Sequence, residues 1–348
     1  MSLTSNFWTT HVGSVPYLDV GATCARLVDA LDIPAWPQFS RRTFRENMYT
    51  QYAPGLPGLV EDGTGERIYF DTTGDLTPAL EAFYTRYLSG DVDSFALKPA
   101  YAAGFFAMLE ALSTAPGAWG KGQVTGPISF GLTVTDQGRR ASLYHDLLAD
   151  ALVKNAAMIA RWQIRQIRQA RPNVIVFVDE PYMASFGSAF ISLGREQVIA
   201  MLDEVFTAIQ EEGALAGVHC CGNTDWSVLM ATQVDILNLD AYGYLETLAL
   251  YPAELRAFLD RGGVIAWGLV PNNEHIFEET PETLAERLRA GFDLISDRAR
   301  ARGVKISVDD LAMRSLITPS CGLGPTTVAV ADRALDVLPR TAMLLRQG

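Results

Sequence analysis

Eight short apolar runs, rich in β-branched residues, alternate along this chain with long amphipathic stretches, and that rhythm leaves few architectures open. Runs that are apolar on both faces read as strands covered on both sides. The stretches between them are long enough for the helical crossovers that parallel strands require. The runs lie near 10–15, 32–39, 122–130, 173–179, 215–220, 236–240, 264–269 and 315–318. Helices are predicted over 142–170, 196–212, 281–302 and 326–345. In the first of these Leu148, Leu152, Ala156 and Ile159 recur at three- and four-residue spacing, and Pro172 stops the helix. Only 40–74 breaks the alternation. Pro54, Gly55, Pro57, Gly58, Gly63 and Gly65 predict a long loop there, with one hairpin ending at 67–70. Eight strand–helix units with an insertion after the second strand predict an α/β protein, a single (β/α)8 TIM barrel over 1–348, in preference to an open doubly wound sheet.

At 348 residues and 49% apolar content the chain can bury a large core without disulfide staples. A net charge of −12 and a pI near 4.8 argue against nucleic acid as the main partner, because a phosphate backbone calls for a basic face. The first residues lack the basic and apolar regions of a signal peptide. No stretch approaches the ~20 uninterrupted apolar residues of a membrane span, so a cytoplasmic protein with no membrane partner is predicted. In a reducing compartment the four cysteines, Cys24, Cys220, Cys221 and Cys321, read as thiols, which points to metal binding or catalysis.

In a barrel of this kind the active site lies at the C-terminal ends of the strands. The residues there are Gly13 and Ser14, Gln38, Gly126, Asp179 and Glu180, His219 to Cys221, Asp240, and Cys321. His219 and Cys221, two apart in extended chain, share a side, while Cys220 points the other way. A His and a Cys at this spacing can chelate one zinc ion. Cys321, at the end of the last strand, can supply a second thiolate across the mouth. One imidazole and two thiolates leave a coordination position open, as in catalytic zinc sites, and that position suits a substrate thiol. The same residue types also suit packed interior thiols, or a vicinal Cys220–Cys221 disulfide.

Four segments carry a resemblance: 9–16 (TTHVGSVP), 178–181 (VDEP), 219–224 (HCCGNT) and 319–323 (PSCGL). Together they resemble the cobalamin-independent methionine synthases and the corrinoid-dependent methyltransferases, which share a barrel with uroporphyrinogen decarboxylase. The resemblance spans nearly the whole chain. It implies that His219, Cys221 and Cys321 are zinc ligands. Asp240 stands where those synthases place a glutamate ligand and, one methylene shorter, would coordinate directly or orient His219. Gly13 and Ser14 would hold the carboxylate of homocysteine, and Asp179, beside Glu180, its ammonium. Gln38 falls where the synthases present a further glutamate, a departure that weakens the amine clamp. Asn223 and Thr224 are closer to the corrinoid-using branch, in which coenzyme M is one acceptor.

The function so implied is zinc-dependent methyl transfer to a thiolate, homocysteine first, as in methionine biosynthesis. The donor implied is a methylcorrinoid carried by a partner protein, since folate-using synthases carry a second, N-terminal half. Three alternatives stand beside it: another thiol such as coenzyme M, a metal-free decarboxylase of the uroporphyrinogen type, and a non-catalytic zinc- or thiol-binding module. Arg41, Arg42 and Arg45 could take an anionic substrate tail or sit on a solvated loop. Trp36, Trp226 and Trp267 could stack a planar cofactor or simply pack.

Overall fold

In the computed structural model, which describes residues 6–63, 66–188 and 191–347, the sequence rhythm becomes one curled parallel sheet wrapped by helices. Its strands are β1 (Trp8–Thr9), β4 (Trp119–Thr125), β5 (Asn173–Asp179), β6 (Leu215–Cys220), β7 (Ile236–Leu239), β8 (Val264–Val270) and β9 (Ser315–Pro319). A separate antiparallel hairpin, β2 (Leu59–Asp62) and β3 (Arg67–Phe70), lies in the insertion, as expected; Thr64 and Gly65 lie outside the described residues. The seven parallel strands run in the order β1-β9-β8-β7-β6-β5-β4.

Alternate side chains of each strand go to different cores. Val174, Val176 and Val178 of β5 pack outward with the helices, whereas Ile175 and Phe177 join an inner cluster with Leu215, Ile236, Val264, Ala266 and Leu316. This inner cluster is the floor of the curled sheet. Further along the same inward side come Asp179, Asn238 and Thr318, each two residues past a cluster member, and His219, four past Leu215. The polar site is thus the continuation of the inward-facing set past the point where it is apolar.

The expected second strand, 32–39, is not a regular strand, so the sheet has seven strands where eight were expected. Pro34 and Pro37 explain this, since neither can donate to a ladder. The segment nonetheless lies between the two sheet edges. Ile33 N donates to Thr9 O at 3.0 Å and Gln38 N to Gly13 O at 3.1 Å on the β1 side. On the other side Trp36 N donates to Lys121 O at 3.3 Å, and Lys121 N to Pro34 O at 3.0 Å.

Other boundaries move for local reasons. The strand expected at 122–130 is β4, which ends at Thr125, because Pro127 opens a helix, Pro127–Thr133, that takes up Ile128 and Phe130. The predicted helices appear as Asp146–Ile167, Arg195–Glu211, Pro281–Ala301 and Val328–Gln347. Among the described residues no helix is long and apolar enough to cross a membrane.

The irregular segment is held from outside by the helix Ala103–Thr114, whose Gly104 lies against Pro37. A Cβ built on Gly104 would stand 1.9 Å from the Pro37 carbonyl oxygen and 2.9 Å from the Phe39 ring. Backbone cannot yield as a side-chain tip can, so Gly104→Ala should destabilise the protein by about 1–3 kcal/mol in denaturant unfolding. An unchanged midpoint would show that this contact is not tight.

Candidate metal centre

His219 stands at the next-to-last position of β6, 2% exposed, and its Nδ1 lies 2.7 Å from Asn238 Oδ1. Asn238 is oriented in turn: its Nδ2 donates to Ala266 O at 2.7 Å and to Thr318 Oγ1 at 3.0 Å. A carbonyl can only accept, so the amide nitrogen must face Ala266 and the amide oxygen must face the imidazole. Nδ1 therefore carries the proton and donates, which leaves Nε2 with its lone pair. Nε2 is buried and has no hydrogen-bond partner.

Cys221 and Cys321 meet His219 there. One ligand atom from each of the three residues lies within 4.8 Å of the others. Bonds of about 2.3 Å to sulfur and about 2.0 Å to nitrogen require a donor separation of roughly 3.5–3.8 Å, which falls inside that limit. The Cys321 thiol beside it holds Cys221 down to about 4, with His219 adding to the effect against burial. Cys321 is pushed up by the same contact and by burial. A pair of thiols with one acidified member, next to an unpartnered imidazole nitrogen, is a donor set that fits a thiophilic divalent cation.

The remaining cysteines are elsewhere. Cys220 faces the outer core, as its position predicts, and burial pushes its thiol up to about 12; Cys24 is buried too, and all four cysteines are free. No vicinal disulfide forms.

The cluster opens on a cavity of about 390 Å³ whose lining includes Val12, Ser14, Gln38, Glu46, Tyr49 and Asp179. Asp179 is 5% exposed, and its Oδ1 has no hydrogen-bond partner. Burial raises its carboxyl above the ordinary range, against the pull of His219 and Lys121. Lys121, also buried, donates to Val12 O at 2.8 Å and lies 4.4 Å from the centre of the Phe177 ring. Burial lowers its ammonium, which Asp179 partly restores.

Several expected site residues have other duties. Asp240 is not in the His–Cys–Cys cluster: its side chain caps the helix Ala241–Leu248, with Oδ1 accepting from Gly243 N at 2.8 Å. The partner that orients His219 is Asn238 instead. Glu180 is fully buried away from the cavity and accepts from Ile128 N at 3.0 Å, Ser129 N at 2.7 Å and Ser129 Oγ at 2.6 Å, capping the helix Pro127–Thr133. Burial lifts its carboxyl to about 7. Its place next to Asp179 made it a candidate, but neighbours on a strand face opposite ways.

Gly13 does not line the cavity. It makes room beside it, since a Cβ there would come within 2.8 Å of Gln38 Oε1 and 3.1 Å of the Gln123 side chain. Ser14 does line it, and Ser14 Oγ accepts from Gly324 N at 3.2 Å, tying the Cys321 loop to the β1 side. Gln38 also lines it, with Nε2 donating to Gln51 Oε1 at 2.8 Å and to Tyr52 Oη at 3.1 Å.

The arginines brace loops. Arg41 donates to the Gly324, Pro325 and Thr326 carbonyls, Arg42 pairs with Glu46, and Arg45 pairs with Glu61. Trp36, Trp226 and Trp267 are buried, and their indole N–H groups are taken by Gln163, Thr247 and Ser315. Asn238, Lys121 and Glu46 were missed. The first two could have been found as polar residues at inward positions of apolar strands, whereas Glu46 lies in an irregular loop with no such signal.

The fold and site together define an α/β protein with a His–Cys–Cys cluster and an acidic cavity at the C-terminal ends of a curled parallel sheet. Compared with known proteins, the chain matches no family model and no curated protein sequence.

Two variants separate the site from its scaffold. Asn238→Leu frees the imidazole to choose its tautomer and should weaken the cluster's affinity for an added thiophilic cation such as zinc about 10–100-fold in chelator competition. Glu180→Ala leaves the Ile128 and Ser129 amides without an acceptor. It should cost about 1–3 kcal/mol in unfolding while leaving zinc stoichiometry intact. Equal zinc affinity in native and Asn238→Leu protein would contradict the orienting role.

Proposed function

We propose that this protein is a zinc-dependent methyltransferase that methylates a thiol, with homocysteine as the preferred acceptor. The observation that carries the reading is the buried convergence of His219, Cys221 and Cys321, with His219 Nε2 unpartnered, at the wall of a cavity large enough for a small substrate. His219, Cys221 and Cys321 would hold the ion. When bound, zinc supplies a coordination position at which a substrate thiol loses its proton at neutral pH yet keeps its nucleophilicity, because two thiolate ligands leave the metal a weak Lewis acid.

The rest is work for the chain. Asn238 keeps the imidazole lone pair toward the two cysteines, and the tie from Ser14 to Gly324 fixes the loop that carries Cys321. Asp179, with Oδ1 short of a partner in the cavity wall, suits the ammonium of an amino thiol. Positioning then does most of what an in-line displacement needs. The thiolate sulfur attacks the methyl carbon, the S–C bond forms as the donor–C bond breaks, and the electron pair leaves with the donor.

For the donor we propose a methylated corrinoid presented by a partner protein. Neither a polyglutamate tail nor a sulfonate thiol would find a lysine or arginine in the cavity lining. The same lack weighs against a porphyrinogen acid, since Arg41, Arg42 and Arg45 are engaged in bracing loops. The finer fold reading is a (β/α)8 barrel of the kind that the sequence resembles. It is supported by the segment 33–38, which hydrogen-bonds to both edges of the sheet.

The test is turnover. Zinc-loaded protein supplied with homocysteine and methylcobalamin should form methionine, read by mass spectrometry, and Cys321→Ser should reduce the rate to background. Tight homocysteine binding with no methionine formed from methylcobalamin or methyl-tetrahydrofolate would contradict the enzyme reading and leave a thiol-binding module.

A further inference from the structure

Cys321 differs from the other two members of its cluster in how the chain carries it. His219 lies within β6 and Cys221 directly follows that strand, whereas Cys321 comes after β9, with β7 and β8 between. It opens the turn Cys321-Gly322-Leu323-Gly324-Pro325, whose two glycines give it little stiffness of its own. Its surroundings must therefore hold the backbone if the thiol is to meet the other two donors before an ion arrives.

The neighbouring strand supplies that hold through a bulge. Gly268 of β8 pairs with Thr318, but the next pair is Val270 with Pro319, so Leu269 is an extra residue in β8. Leu269 and Val270 both pack in the outer core, which adjacent residues of a regular strand do not do. Gly268 permits the close approach that goes with it: a Cβ there would stand 2.5 Å from Leu239 O and 2.9 Å from Ser320 Cα. Carried on past Pro319, the shifted register sets Asn272 beside Cys321, and the hydrogen bonds agree. Asn272 N donates to Ser320 Oγ at 3.2 Å, Ser320 Oγ donates to Asn272 Oδ1 at 3.1 Å, and Asn272 Nδ2 donates to Gly322 O at 3.2 Å. Gly322 O can only accept, which fixes the orientation of the amide. One residue thus grips the chain immediately before and immediately after Cys321. On the β1 side the same turn meets Ser14, whose carbonyl accepts from Leu323 N at 2.9 Å.

We infer that Asn272 is a positioning residue for the metal centre, which presents Cys321 to the ion by bridging the residues on either side of it. This rests on the reading of His219, Cys221 and Cys321 as metal ligands and goes beyond it, because Asn272 is neither a donor in the cluster nor part of the cavity lining. A thiolate on a free turn would have to be ordered each time an ion binds, and it could swing away when a substrate thiol enters the coordination shell. A turn ordered in advance removes that cost from binding and keeps the third donor in place. The bulge in β8 is the structural means, since a regular register would set Pro271, which has no such side chain, beside the last ligand.

Cobalt(II) is the probe, because it takes the same kind of donor set as zinc and its thiolate charge-transfer absorption grows with the number of thiolates bound. Full-length protein is saturated with cobalt, and the absorption per bound ion is compared among the native chain, Asn272→Leu and Cys321→Ser. The native protein should show two thiolates and Cys321→Ser one. Asn272→Leu, close to the native side chain in size but unable to bond Ser320 or Gly322, should lose intensity toward the Cys321→Ser value. Its cobalt affinity should fall about tenfold. Glu180→Ala, which disturbs the scaffold elsewhere, should melt earlier yet keep the native intensity, so lost stability alone does not mimic the effect.

Native intensity per cobalt in Asn272→Leu would overturn the inference, whatever happens to its melting temperature. If that variant does not fold, Ser320→Ala decides by the same measure, since it removes both bonds between Ser320 Oγ and Asn272. Failure of this inference alone would appear as two thiolates in the native protein and two in the variant. Failure of the underlying reading would appear as a native protein that binds no cobalt, or binds it without thiolate absorption, and would overturn both.

Discussion

The hydrogen bond from His219 Nδ1 to Asn238 fixes which edge of the imidazole meets Cys221 and Cys321, and the site depends on it. A neutral imidazole has one donor and one acceptor nitrogen, and without Asn238 either could face the sulfurs. Asn238 has no such freedom, because Ala266 O and Thr318 Oγ1 both require its nitrogen. Adjacent strands β6, β7 and β8, together with β9 beyond them, thus fix one proton on one ring. Rigid sheet holds His219 and its partner Asn238 better than loop would, while Cys221 and Cys321 follow within two residues of the ends of β6 and β9.

Below this layer the inner apolar cluster, with Ile175, Phe177 and Leu316 among its members, excludes water. Above it lies the cavity. The polar layer between is costly, since Lys121 and Asp179 are both buried and each needs the other's charge nearby. Groups held in this way are seldom kept for stability alone, and here Asp179 lines the cavity in which a small substrate would sit.

Much of the fold was legible because strand periodicity survives burial. Runs such as 173–179 and 264–269 are apolar at every position, as doubly covered strands must be, and they appear within a residue or so of where the pattern put them. The expectation of an eighth regular strand at 32–39 failed because apolar character was weighed above the missing donors of Pro34 and Pro37. The overlong strand at 122–130 failed through reading apolar Ile128 and Phe130 as strand, although Pro127 signals a helix start. In the site, His219, Cys221 and Cys321 were legible from spacing and from their places at strand ends. Asp240 and Glu180 each cap a helix in the structure, a duty the sequence did not reveal, because an acid after a strand can also be a helix cap and only the fold shows which way it turns. Glu46 was invisible, since its approach to the cavity depends on the course of an irregular loop.

X-ray absorption at the zinc edge, on protein purified under reducing conditions and supplied with zinc, tests the central claim most directly. One nitrogen and two sulfur ligands, rising to three sulfurs when homocysteine is added, is the predicted result. A protein that binds no zinc, or zinc with no sulfur in its coordination shell, would contradict it.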